Sequence, residues 1–199
     1  MKHGNVVADN SFYSCHVCDL QRIEWLERYF SLYQFHYGTN LRSEMPKRIT
    51  SSQCLNAATF HERDYSELFR PFIGRTPIHH NDGEYEAIGI ACNLALTDDL
   101  AYLILDDRVP NKCAKRIAEE KILGLQGKVI GTIGFIRDSH LKDQLLNQGE
   151  VLEILHAIHD RFQAQSSPSE KHRPCSMDPH VVENVLLPVI ADIEDRTHE

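Results

Sequence analysis

The chain has 199 residues, 42% hydrophobic and 25% charged, values ordinary for a globular protein that argue against wholesale disorder. That length suits one domain plus an extension and can bury a core without disulfides or structural metals. With 21 basic and 29 acidic side chains the net charge is −8, which counts against a generic basic nucleic-acid groove. It does not count against a nuclease whose acids hold a cation, because the cation reverses the local field.

No run approaches the ~18 apolar residues needed to span a bilayer. The first residues also lack the apolar stretch of a secretion signal, so the expected location is the cytoplasm. Six cysteines, Cys15, Cys18, Cys54, Cys92, Cys113 and Cys175, are sparse and uneven, as expected of reduced thiols.

In chain order, residues 5–8 form a short apolar run into Asp9 and predict a buried first strand. Ile23, Leu26, Phe30 and Tyr33 recur at helical spacing and predict a helix over 11–33. Phe35 to Tyr37 read as a second strand, after which Thr39 is placed to cap a helix carrying Leu41, Glu44 and Met45. Pro46, two residues beyond Glu44, kinks or ends that helix.

Residues 50–77 are poorly patterned, with a helix expected near 62–69. Asn81 and Glu84 form a capping-box pattern, followed by the apolar face Ala87, Ile90, Ala91 and Leu94. Residues 100–105 are the clearest buried strand and end in Asp106 and Asp107. A helix around Ala114, Ile117 and Ala118 stops at Gly124, a strand follows at 128–130, and Val151, Leu155, Ile158 and Phe162 mark another helix. The polar stretch 166–178 reads as a linker between a domain at 1–165 and a helical extension at 179–199, which is expected to dock back or to mediate association.

Strands alternating with helices predict an α/β fold, a mostly parallel sheet covered on both faces. Ligands of such sheets sit beyond the carboxyl ends of the strands, where Asp9, Asp106 and Asp107 fall. Helix starts add Glu44, Glu84 and Glu86. Clustered like charges are unfavourable unless protonated or neutralised, and Mg²⁺ or Mn²⁺ prefers such oxygen ligands.

Five segments together resemble the PIN-domain family: VVADNS at 6–11, LRSE at 41–44, GEYEAIGIA at 83–91, LILDDR at 103–108 and VIGTIG at 129–134. Their order and spacing cover roughly residues 5–163. The resemblance implies a three-layer α/β/α sandwich and a Mg²⁺- or Mn²⁺-dependent endoribonuclease, in many relatives the toxin of a toxin–antitoxin pair. It implies RNA as substrate, an antitoxin protein as partner, no membrane, and homodimers in many cases.

Carried over by position, Asp9, Glu44, Glu86 and Asp107 match the acidic quartet, with Asp9 and Asp107 as main metal ligands and Glu44 and Glu86 completing the shell directly or through water and orienting the attacking water. Asp106 is the alternate to Asp107 as ligand, and Glu84 the alternate to Glu86. Ser11 supports the first aspartate, and Arg108 and Thr132 are candidate substrate contacts. The alternative is a catalytically silent PIN-like module acting through protein contacts, since some members have lost activity.

Plainer roles compete for the same residues. Asp9 can cap a helix, Glu84 can complete its capping box, and Glu86 suits a first turn by its charge. Asp106 and Asp107 can form an ordinary turn. Cys15 and Cys18, though Cys-x-x-Cys in spacing, lack a completing pair and read as packing residues on a helix. His79 and His80 read as a solvated pair, and His156 and His159 as surface residues. An aspartyl-phosphate chemistry at Asp9 would need a basic group at a strand end, and the sequence offers no convincing lysine there.

Overall fold

The computed structural model describes residues 2–69, 71, 82–97, 99–106, 108–119, 124–164 and 179–196. Asn81, Asp107, the pair His79 and His80, Cys175 and the expected linker lie outside them, as does the side chain of Arg108.

The elements are β1 (Asn5–Ala8), α1 (Asn10–Ser14), a π-helical turn (Cys15–Asp19), α2 (Ile23–Leu32), β2 (Gln34–Gly38), α3 (Thr39–Glu44) and α4 (Lys47–Thr50). A 3-10 turn (Gln53–Ala57), β3 (Thr59–His61), α5 (Tyr65–Leu68), α6 (Asp82–Ala95), β4 (Leu100–Ile104), α7 (Arg108–Glu119) and β5 (Val129–Ile130) follow. The remainder is α8 (Thr132–Leu141), α9 (Gln148–Gln163), α10 (Pro179–Val181), a second π-helical turn (Val182–Leu186) and α11 (Leu187–Asp195).

The five strands are all parallel in the order β3-β2-β1-β4-β5. Val6, Val7 and Ala8 are each 0% exposed, which is why the central strand reads as an unbroken apolar run. Side-chain alternation divides the core in two. Val6, Ala8, Phe35, Tyr37, Tyr102 and Ile104 face α1, α2, α8, α9 and the C-terminal helices. Val7, Leu103 and Leu105 face α6 and α7. The α/β expectation holds, with helices on both faces of a parallel sheet.

A continuous helix over 11–33 does not form. The chain closes a π-helical turn, and Gln21 takes a left-handed φ of 56° before α2 begins. Phe12, Val17, Leu26, Tyr29 and Phe30 still enter one core, so apolar spacing alone conceals the break. Cys15 is buried there but Cys18 is exposed, so only the first packs as expected; none of the five described cysteines is in a disulfide. His156 is exposed and lies 3.3 Å from Glu194.

Thr39 is the first residue of α3 rather than its cap, which is Gly38. α3 ends at Glu44, with Met45 extended as a residue before proline prefers, and Pro46 is the N-cap of α4. The C-terminal segment docks into the main core through Val182, Leu186, Ile190 and Ile193, and the Gln148 amide donates to the Ile193 carbonyl at 2.7 Å. At the amino ends of the strands, the hydroxyls of Tyr33 and Tyr102 both donate to Asp143 Oδ2, at 2.6 and 2.8 Å, and His3 reaches its other oxygen at 3.2 Å.

Buried imidazoles give the fold an acid sensitivity. His16 donates through Nδ1 to the Phe12 carbonyl, while its bare Nε2 is buried without a hydrogen-bond partner among the described residues. Burial lowers its pKa from 6.5 to about 4. His36 is lowered to about 4 by burial and by neighbouring His61, which is itself lowered by burial. A folded pKa below the unfolded one means that the unfolded chain takes up the proton first. Stability should therefore fall as pH drops from about 6.5 towards 4, with His16 alone contributing roughly 3 kcal/mol across that window. Asp9, Asp106 and Glu86, with raised pKa values, act in the opposite direction, so the reading is the difference between proteins. Urea unfolding at pH 7.5 and 5 checks this: the expected drop shrinks in His16→Phe, and an equal pH dependence in His16→Phe and the wild type would refute it.

Candidate carboxylate site

Asp9 follows β1 directly and is 0% exposed. Its amide donates to the Ile104 carbonyl at 3.0 Å, tying it to the neighbouring strand β4. Its Oδ1 accepts the Phe12 amide at 3.2 Å and so caps α1, while Oδ2 accepts the Asp106 amide at 3.0 Å. Asp106 in turn accepts the Thr132 amide at 2.8 Å on Oδ1 and the Thr132 hydroxyl on Oδ2, at the start of α8. Gly131 allows that approach, since a Cβ there would lie 3.1 Å from Asp106 Oδ1. Asp9, Asp106 and Thr132 thus form one hydrogen-bonded chain across the carboxyl ends of β1, β4 and β5.

Burial raises the pKa of Asp9 well above the usual carboxylate range, and the charge of Asp106 raises it further, against two stabilising amides; Glu84 adds a smaller push. Burial also raises Asp106, opposed by its two bonds from Thr132. By surface area Asp106 is nevertheless exposed, so the pair is sealed below and open towards solvent.

Glu44 and Glu86 sit differently. The amides of Asn40 and Leu41, at 3.2 and 2.8 Å, donate to the two oxygens of Glu86, a residue 1% exposed. In return Gly83, in the first turn of α6, donates its amide to Glu44 Oε1 at 2.9 Å. Each helix therefore supplies the anion that satisfies the other's amino terminus. Two glycines make room: a Cβ on Gly38 would lie 2.5 Å from Glu86 Oε1, and one on Gly83 would lie 2.8 Å from Glu44 Cδ. Burial raises the Glu86 pKa, opposed by the Leu41 and Asn40 amides.

Of the expected quartet, the described structure hydrogen-bonds Asp9 to the alternate Asp106, leaves Glu84 acting on Asp9 through its charge, and pairs Glu44 with Glu86 through their helices. Ser11 lies in the first turn of α1, two residues from Asp9. Asp107 and the Arg108 side chain lie outside the described residues. The reciprocal capping had no local sequence signal, because each acceptor is about 40 residues from its donors.

The donor set fits Mg²⁺ or Mn²⁺ in kind, being all oxygen. The four oxygens of Asp9 and Asp106 each accept a hydrogen bond from a described residue, and a carboxylate oxygen can take a second partner. Among the described residues, no three His, Cys, Asp or Glu side chains converge tightly enough to hold an ion. A centre here would rest on the two aspartates, supplemented by water or by residues outside that set. Compared with family models, curated proteins and solved structures, the chain matches none of them.

Proposed function

We propose that this chain is a PIN-like endoribonuclease that hydrolyses RNA phosphodiester bonds with Mg²⁺ or Mn²⁺ held by Asp9 and Asp106. The observation that carries this reading is the meeting of two carboxylates from adjacent parallel strands, both with raised pKa values, at the open carboxyl edge of the sheet. A bound ion would relieve their repulsion, lower the pKa of a coordinated water and stabilise charge on an attacked phosphate. The Phe12 and Asp106 amides fix the Asp9 carboxylate, and Thr132 fixes Asp106 from two directions. Glu84, half-buried and close enough to act electrostatically on Asp9, is a further carboxylate able to accept a proton from the attacking water. Glu44 and Glu86 support the site by setting α3 against α6.

Incubation with single-stranded RNA should give cleavage in Mn²⁺ or Mg²⁺ and none in chelator. Full activity in chelator would rule the reading out. A second reading, a silent module acting through protein contacts, is favoured by the commitment of Glu44 and Glu86 to backbone amides. Calorimetric titration with Mn²⁺ separates the two: heat of binding supports the nuclease, and its absence supports the silent module.

A further inference from the structure

Phe60 lies on the edge strand β3 and is 39% exposed, an unusual place to leave an aromatic ring open. Below it, Tyr37 is buried, with ring centroids 5.3 Å apart. Beside it, the Arg42 guanidinium lies 5.9 Å from the ring centroid, and on the same strand's exit Arg63 lies 5.6 Å from the Tyr65 ring. Arg42, Lys47 and Arg48 are all exposed, and the only acid between residues 39 and 50, Glu44, is turned to the Gly83 amide. Around the exposed ring the cations Arg42 and Arg63 alternate with the acids Glu62 and Asp64, and Arg42 is the one set against the Phe60 ring.

The strand register places this surface relative to the carboxylates. Tyr37 pairs with Phe60 and Gly38 with His61, so the ring is at the carboxyl end of the sheet. β3 is two strands from β1, which runs into Asp9; at ~4.8 Å per strand that is about 10 Å.

We propose that Phe60 and Arg42 bind single-stranded RNA, a base stacking on the exposed ring and the guanidinium meeting the adjacent phosphate, so that the strand runs across the sheet end towards Asp9. This rests on the nuclease reading for its substrate. Stacking uses the face of any base, so it orients the strand without specifying sequence. Arginine's planar fork suits phosphate better than an apolar partner.

The test is fluorescence anisotropy of a short labelled single-stranded RNA in chelator and low salt, where cleavage does not interfere. Phe60→Leu, which keeps an apolar side chain but removes the aromatic face, should weaken binding about tenfold, and Phe60→Trp should preserve it. Arg42→Ala should weaken binding and reduce the slope of log affinity against log salt by about one. Wild-type affinity in both Phe60→Leu and Arg42→Ala overturns the proposal and leaves the patch to a protein partner. So does failure of the wild type to bind. Binding that depends on Phe60 without any cleavage in Mn²⁺ would refute the nuclease and uphold the binding surface.

Discussion

Asp9→Asn is expected to lower metal-dependent cleavage by about 10²-fold or more while raising the unfolding midpoint of the metal-free protein. Asparagine keeps the side-chain shape, and its carbonyl can still cap the Phe12 amide. The amide nitrogen then faces the Asp106 N–H, which forfeits one hydrogen bond at a cost of about 1 kcal/mol. Against that, the substitution removes a buried charge whose folded pKa is raised by desolvation and by Asp106. A carboxylate with a raised folded pKa destabilises the native state once it ionises, so the gain should be present at neutral pH. It should fade as pH falls into the range where the wild-type Asp9 takes up its proton. Mn²⁺ should stabilise the wild type and not the variant, because its ligand pair is gone. Thermal unfolding with and without Mn²⁺, alongside the cleavage assay, checks all of this. Equal stabilisation of both proteins by Mn²⁺, or cleavage at the wild-type rate in Asp9→Asn, would dismiss this pair as the metal site.

Much of the sheet is legible in the sequence because its strands are buried on both faces. The runs at 5–8 and 100–105 stand out as apolar without a gap, and the acids that follow them mark the carboxyl edge. β3 escapes notice because it is a three-residue edge strand, with Thr59 and Phe60 exposed and His61 partly so. α8 escapes for another reason. Its N-cap is Gly131, which has no side chain, and the capping carboxylate is Asp106, 26 residues earlier on another strand. Local rules cannot see a cap delivered by tertiary structure.

The same limit applies to the acids. Asp106 and Asp107 are equivalent as sequence; the hydrogen bond from the Asp106 amide to Asp9, and that from Thr132 to Asp106, place the first of them beside Asp9, while Asp107 lies outside the described residues. Glu84 and Glu86 are two positions apart on one helix, hence roughly 200° apart around its axis, so they cannot face one pocket together. That exclusion was readable. Which of the two turns towards Asp9 depends on how α6 lies against α3, and that is set by Gly38 and Gly83 giving way to carboxylates from distant segments.

That division of labour yields opposite outcomes for two matched substitutions. Glu86→Gln should destabilise the protein by about 1 kcal/mol, because no acid among the described residues is hydrogen-bonded to Glu86 and removing its charge gives back less than at Asp9. Its single carbonyl can accept only one of the Asn40 and Leu41 amides, and its NH₂ is pressed against the other in a site 1% exposed. Glu84→Gln should leave the urea midpoint nearly unchanged, because loss of its charge also relieves Asp9. Cleavage should fall in this variant through loss of a proton acceptor, with the rise in rate towards alkaline pH flattened, a signature that a packing defect would not produce. Urea unfolding and a pH–rate profile of both variants decide the matter. If Glu86→Gln folds normally yet loses Mn²⁺ binding, while Glu84→Gln cleaves like the wild type, Glu86 belongs to the reactive centre and the capping role is incidental.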